Sequence, residues 1–311
     1  MDNAAIGKNY DTKSFNKYLK IKVIPIAETI GAEIECDDFT DLDQQAIVEV
    51  KKAWLDHLVL LFRGRTLSDD ELMRVGRYFG ELEQSPPTAV AQDAERPNPY
   101  ISIISNILVN GKSIGSLGND EAIWHTDMSN RPVPPSASIL TSHEVPMGPG
   151  GETGFINMYR ALETLPAHLM SQIQGKTIYH DGGRNSAGVQ RRHSISSSHP
   201  IIRTHPETGI NALYLGRRRD SHIDGMPAAE SDKLLDALWA HTESQQAWHH
   251  EWKVGDTLVW DNRCVMHHRN SFDASARRLM HRTQTIGTAP KVSNLVPSSS
   301  HPRSGSSSAS A

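Results

Sequence analysis

The chain has 311 residues with 37% hydrophobic content, enough for one substantial core, and is read as one large domain. Its 32 basic and 36 acidic residues leave a formal charge of −4, and the short run Arg217, Arg218 and Arg219 is too small to make a nucleic-acid surface. Cys36 and Cys264 are too far apart in sequence for a disulfide framework or a CxxC site, no stretch nears the ~20 apolar residues of a membrane span, and residues 1–20 lack the apolar run of a signal peptide, so a cytoplasmic protein in a reducing compartment is expected.

Residues 1–20 are polar and read as a flexible lead-in. Apolar, β-rich runs at 21–26 and 58–62 flank a helix expected over 43–57. There Thr40 and Asp43 are spaced as a capping box, and Ile47, Val48, Val50, Trp54 and Leu55 take the apolar positions. Ser68 and Glu71 repeat the capping signature before a second helix with Leu72, Val75 and Phe79 on one face, ending near Gly80. The opening is therefore strand, helix, strand, helix. Further on, short strands are expected at 101–105, 137–141, 212–215, 257–260 and 282–286, with helices over 158–173 and 229–242 between them. In the last helix Leu234, Leu235, Leu238 and Trp239 form an apolar stripe suited to core packing. Short strands punctuated by Gly and Pro predict a mainly β fold with flanking helices (α+β) around a double-stranded β-helix, a jelly-roll or cupin-like core, over residues 21–290. From 291 to 311 nine of 21 residues are serine and apolar residues nearly vanish, the composition of a disordered tail.

The strongest chemical signal is Trp124-His125-Thr126-Asp127. Residues two apart on an extended strand share a face, so an imidazole and a carboxylate can converge on one cation. With 16 histidines in the chain, any one alone means little. A second histidine in a distinctive setting raises the weight: residues 255–263 (Gly-Asp-Thr-Leu-Val-Trp-Asp-Asn-Arg) run into His267. Two histidines and one carboxylate occupy one face of an octahedral iron and leave three positions for a bidentate ligand and O2. Neither HExxH nor a tight set of three or four ligands is present to suggest a zinc hydrolase. His268 competes with His267 for the third ligand position, but on an alternating strand it faces the other way. The glycines of 148–154 lack the ending of a phosphate loop and miss GxGxxG. Finally, residues 277–282 (Arg-Arg-Leu-Met-His-Arg) offer guanidinium groups, whose paired donors match a carboxylate and so suit a dicarboxylate co-substrate.

On these residues, together with Phe79-Gly80-Glu81-Leu82, Gly150-Gly151-Glu152-Thr153, Thr204-His205-Pro206 and Trp260 to Arg263, the chain resembles the taurine dioxygenase and TfdA family of iron(II)/2-oxoglutarate dioxygenases over residues 21–290. The resemblance implies that His125, Asp127 and His267 are the catalytic iron ligands. It implies that Arg278, eleven residues after His267, binds the distal carboxylate of 2-oxoglutarate, with Thr153 assisting. Arg282 falls where the taurine enzyme contacts its substrate's sulfonate. Iron(II), 2-oxoglutarate and O2 are thus the implied cofactor and co-substrates, with succinate and CO2 released and a small molecule hydroxylated or desaturated. The carboxylate of Asp127 speaks against the related halogenating chemistry. A metal-dependent hydrolase on the same ligands, or a non-catalytic small-molecule-binding protein of this fold, are the readings that 2-oxoglutarate-dependent oxygen uptake separates from the oxygenase. The family commonly self-associates, so a homo-oligomer is compatible.

The substrate pocket departs from the taurine pattern. In the taurine enzyme a histidine and a tyrosine after Phe-Gly-Glu-Leu touch substrate; here Ser85 and Thr88 stand in their place. Asn119 corresponds to the asparagine before the metal motif, with two extra residues before His125. Tyr214, Gly216 and Arg217 to Arg219 occupy a strand end that, by resemblance, borders the pocket. The glycine-rich residues 180–185 read as a lid or as an ordinary loop. The expected substrate is a small organic anion, larger or less polar than taurine, with taurine itself not turned over.

Overall fold

Val59–Phe62 reads Val-Leu-Leu-Phe and is buried throughout. Val59 and Leu61 enter one hydrophobic core, Leu60 and Phe62 another. Side chains alternate between faces of a strand, so four apolar residues in a row need cover on both sides. The structure, a computed structural model that describes residues 18–85, 98–119, 122–186, 188–190 and 194–292, supplies that cover as layers on either side of one large sheet. The sequence up to residue 17, Thr88, and the serine-rich stretch from 293 lie outside the described residues.

The strands of the two principal sheets are, in chain order, β1 (Lys22–Pro25), β2 (Ala32–Glu35), β3 (Val59–Phe62), β4 (Ser102–Ser105), β5 (Ser116–Leu117), β6 (Ala122–His125), β7 (Ala137–Glu144), β8 (Thr153–Asn157), β9 (Trp248–His250), β10 (Thr257–Asp261), β11 (Val265–Arg269) and β12 (Leu279–Gln284). Eight of them form a sheet in the order β1-β2-β3-β10-β7-β12-β4-β5, antiparallel except for the β2/β3 and β4/β5 pairs. The other four form an antiparallel sheet in the order β9-β8-β11-β6. Helices α1 (Gln44–His57) and α2 (Asp69–Arg77) close the outer face of the large sheet: Val50, Trp54, Leu72 and Val75 pack with Leu60, Phe62, Ile139 and Val259. On the inner face Leu61, Leu140, Leu258 and Trp260 meet Phe155 and Met266 of the small sheet. Helices α3 (Met158–Glu163), α4 (Ala167–Ile173) and α5 (Ala228–Glu243) extend that core through Leu162, Ile173, Leu234 and Trp239.

Local chemistry accounts for the differences from expectation. Ser68 and Glu71 do form the reciprocal capping box of α2, but Asp43, not Thr40, caps α1, accepting from Ala46 N at 2.8 Å; Thr40 is held by Asp38 instead. The helix expected over 158–173 is two, because Pro166 has no N–H for an uninterrupted ladder. β2, β5, β8 and β9 were not expected, and β8 begins at Thr153, separated by one residue from a glycine pair that reads as a turn. Among the described residues no helix is long and apolar enough to cross a membrane.

Candidate metal and co-substrate site

β6 and β11 are neighbours in the small sheet, and their register sets His125 directly opposite His267. The two rings lie 4.2 Å apart between centroids, with Nε2 of each aimed at Oδ1 of Asp127, at 3.6 Å from His125 and 3.9 Å from His267. All three side chains are buried, and one ligand atom from each falls within 4.8 Å of the others. His268 points to the opposite face, against Trp124 (4.0 Å) and His249. The expected one-face argument for His125 and Asp127 needs correction, because β6 ends at His125 and Asp127 stands in the turn that follows. Strand alternation therefore does not aim this carboxylate. Asn262 does: its Oδ1 accepts from Asp127 N at 2.8 Å, and its Nδ2 donates to Asp127 O at 3.0 Å.

The protonation states suit a cation. His125 Nδ1 lies 2.6 Å from Ile123 O and so carries the hydrogen, which leaves Nε2 its lone pair. Burial, and then the neighbouring His125, push His267 well below the ordinary imidazole value, so its ring is neutral. Burial alone would raise Asp127. Arg282, His267 and His125 outweigh it and hold the carboxyl well below the usual carboxylate range. Two imidazoles and a carboxylate form the donor set that leaves one octahedral face open.

The family model of taurine catabolism dioxygenase TauD, TfdA family, matches residues 22–284. The chain belongs to the TauD/TfdA dioxygenase family. It is 31% identical to an alpha-ketoglutarate-dependent 2,4-dichlorophenoxyacetate dioxygenase of Cupriavidus pinatubonensis, over 85% of this chain and 97% of that protein. It is 31% identical to a pentalenolactone F synthase of Streptomyces arenae, over 87% and 97%. A crystal structure of a taurine dioxygenase from Burkholderia xenovorans superposes with a TM-score of 0.72 at 30% identity, covering 88% of this chain and 91% of that one. This TauD/TfdA protein is accordingly an oxidoreductase, a dioxygenase that uses iron(II), 2-oxoglutarate and O2.

The remaining expected residues of this TauD/TfdA chain divide. Arg278 is 2% exposed, and among the described residues no carboxylate reaches its guanidinium. Burial, and then the charge of Arg269, lower its pKa, as befits a buried cation lacking a counter-ion. That is the fit expected of a binding group for a free carboxylate. Arg277, by contrast, is exposed and already holds Glu144 with two bonds. Thr153 is buried at the start of β8 and its hydroxyl accepts from Trp252 Nε1 at 2.9 Å. Arg282 reaches the site: Nη1 lies 3.1 and 3.2 Å from the oxygens of Asp127, while Nε has no partner among the described residues. Ser85 is held through its backbone by Pro99 O, and the residue of that stretch whose charge feels Asp127 and Arg282 is Glu83, paired with Arg131. Asn119 binds Phe272 N through its carbonyl, and no hydrogen bond of its side chain reaches the triad. Tyr214 is buried beneath the guanidinium of Arg203, yet Gly216 two residues on accepts from Thr126 N, between the first two triad members. Arg218 pairs with Asp232 and Asp236 on the surface, which removes it from any pocket.

Arg269 went unread in the sequence although a signal existed: it lies two residues past His267 on β11 and so shares its face. Its guanidinium is anchored on the carbonyls of Leu117 and Gly118 at 3.1 Å each.

Proposed function

We propose that His125, Asp127 and His267 hold iron(II), that Arg278 with help from Thr153 receives the distal carboxylate of 2-oxoglutarate, and that the protein hydroxylates or desaturates a small organic anion other than taurine. The observation that carries this reading is the buried Oδ1 of Asp127, which faces Nε2 of both His125 and His267, with the three ligand atoms within 4.8 Å of one another. Iron(II) with 2-oxoglutarate and O2 supplies the oxidation of an unactivated C–H bond, the keto acid leaving as succinate and CO2. This chain's residues do the rest. His125 is fixed in one tautomer by Ile123 O, Arg278 orients the dicarboxylate, and the packed rings of Phe155 and Trp260 against His267 keep water from that side. We further read residues 21–290 as one catalytic unit built on a double-stranded β-helix, in a cytoplasmic setting.

The anion is favoured by the unpartnered Nε of Arg282 at the edge of the site, since a buried guanidinium donor left without an acceptor costs on the order of 1–3 kcal/mol. The relative acting on 2,4-dichlorophenoxyacetate processes such an acid. Ser85 and Thr88, in place of the histidine and tyrosine of the taurine pattern, argue for a different end group. A panel of carboxylates, sulfonates and sulfate esters, scored by substrate-dependent succinate with iron(II), 2-oxoglutarate and O2, tests this. Efficient turnover of taurine sinks the pocket argument; activity retained in Arg282→Leu with an uncharged substrate sinks the anion argument. A hydrolase on the same ligands would consume no oxygen with 2-oxoglutarate.

A further inference from the structure

The fold treats the two oxygens of Asp127 differently. Oδ1 faces the histidine Nε2 atoms, at 3.6 and 3.9 Å. Oδ2 accepts from the Ser138 hydroxyl at 2.8 Å and from Gln284 Nε2 at 3.1 Å, and Gln284 Nε2 also donates to Ser138 Oγ at 2.8 Å. Hydrogen counting makes this triangle unambiguous. An ionised carboxylate only accepts, so the single hydroxyl hydrogen of Ser138 goes to Asp127, and both neighbours then need a hydrogen from the Gln284 amide. The triangle is also built into the sheet, because Gln284 on β12 and Ser138 on β7 are register partners. Ser138 is fully buried and Gln284 is 5% exposed. Arg282 Nη1, at 3.1 and 3.2 Å from the two oxygens, does not distinguish them.

We infer that Ser138 and Gln284 are positioning residues that restrict Asp127 to one-oxygen coordination of the metal through Oδ1. A free carboxylate can bind a cation through one oxygen or both. Chelation through both would consume one of the three positions that a bidentate co-substrate and O2 require. With Oδ2 engaged by two donors, and the backbone of Asp127 pinned by Asn262, only Oδ1 is offered. The inference rests on Asp127 being a ligand, and the test separates the two claims.

The test uses anaerobic titration of the full chain with cobalt(II), which reads affinity and, through its visible d–d bands, the coordination shell. Ser138→Ala and Gln284→Met are each expected to bind cobalt(II) about 10- to 100-fold more weakly, the usual cost of removing a group that orients a ligand, and to alter the d–d bands. Asp127→Ala should bind far more weakly still, and adding Ser138→Ala to it should change nothing further. Wild-type affinity and bands in folded Ser138→Ala and Gln284→Met overturn the inference while leaving Asp127 a ligand. So does a further loss when Ser138→Ala is added to Asp127→Ala. Wild-type binding by Asp127→Ala overturns the ligand reading itself. If Ser138→Ala does not fold, Gln284→Met carries the same two readouts, alone and in the Asp127→Ala background.

Discussion

Among the described residues two buried clusters bring a histidine and an aspartate together with a third potential ligand: His125, Asp127 and His267, and His205, Asp261 and Cys264. Composition and spacing alone do not separate them. Satisfaction of their polar atoms does. In the second cluster His205 Nδ1 accepts from the backbone of Glu207 and Thr208, so Nε2 carries the hydrogen that it donates to Asp261 Oδ2 at 3.0 Å. Arg263 takes both oxygens of the same aspartate at 2.8 and 2.7 Å. Burial, followed by the charge of Asp261, pushes the Cys264 thiol well up, so it stays protonated. His205 Nε2 there has no lone pair to offer, and both oxygens of Asp261 are already engaged. In the first cluster both histidine Nε2 atoms face one carboxylate oxygen. A buried acid–histidine pair thus reads as a metal site only when the protein's own donors leave it open.

The comparison breaks most sharply under substitution. His267→Ala or Asp127→Ala should abolish the weak visible band that iron(II) and 2-oxoglutarate give together under anaerobic conditions, and reduce succinate formation to background. Loss of the band in His268→Ala with retention in His267→Ala would reverse the ligand assignment. In the closed cluster the effect should fall on the fold instead. Arg263→Met removes the guanidinium and leaves the buried Asp261 charge with His205 and one backbone N–H, and breaking such a pair costs roughly 3–5 kcal/mol, seen as a lower urea midpoint. The folded protein should keep its iron affinity within about twofold, since the side chain of Arg263 is engaged by Asp261, Glu207 and Trp54 and among the described residues no hydrogen bond or ion pair joins it to the open triad. A fall in iron affinity with no change in urea midpoint would mean that the second cluster belongs to the site.

Arg278 is the next test, because it is a buried cation whose Nε has no partner among the described residues, whereas the guanidinium of Arg269 is held by two backbone carbonyls. Arg278→Lys keeps the charge but loses the planar two-pronged contact. Losing one charge-assisted hydrogen bond, worth about 1.5–3 kcal/mol, should weaken 2-oxoglutarate about 10- to 100-fold with iron binding intact. Unchanged co-substrate affinity would pass the role to Arg282, since Arg277 is exposed and held by Glu144.

Where the reading of the sequence succeeded, the signal was local. Periodicity gave the apolar face of α2 through Leu72 and Val75, and strand alternation put His268 on the face opposite His267, because each depends on neighbours a few residues away; in α1 it gave Val50 and Trp54 but not Val48, which is exposed. What it missed is long-range. Asp127 lies in a turn, aimed by Asn262 from 135 residues away, and tied by Gln284 from 157 away. Which donors reach it follows from how β7 and β12 pair, and no spacing within one segment encodes that. The partner of Arg282 is invisible for the same reason. The split at Pro166 is different in kind: the proline was in plain view, and the apolar periodicity running across it was given more weight than the missing N–H.

His180 extends the comparison to a buried histidine that is open, with neither ring nitrogen bonded among the described residues, but has no acid to hold a cation with it. Burial, then His199 and Arg217, lower its pKa to about 3. The folded chain therefore keeps this ring neutral at a pH where the unfolded chain, with an ordinary value near 6.5, protonates it. Stability from this residue is flat above about pH 7 and is lost as pH falls through about 6.5 toward 3, because the unfolded state takes up the proton first. Between pH 7 and 5 the loss should be about 2 kcal/mol, the integral of one proton over that window. In the apo protein the urea midpoint of wild type should drop over this range, and His180→Leu should remove that share of the drop, whatever it costs at pH 7. Parallel wild-type and His180→Leu curves would show that this histidine finds a proton acceptor in solution and is no more open than His205.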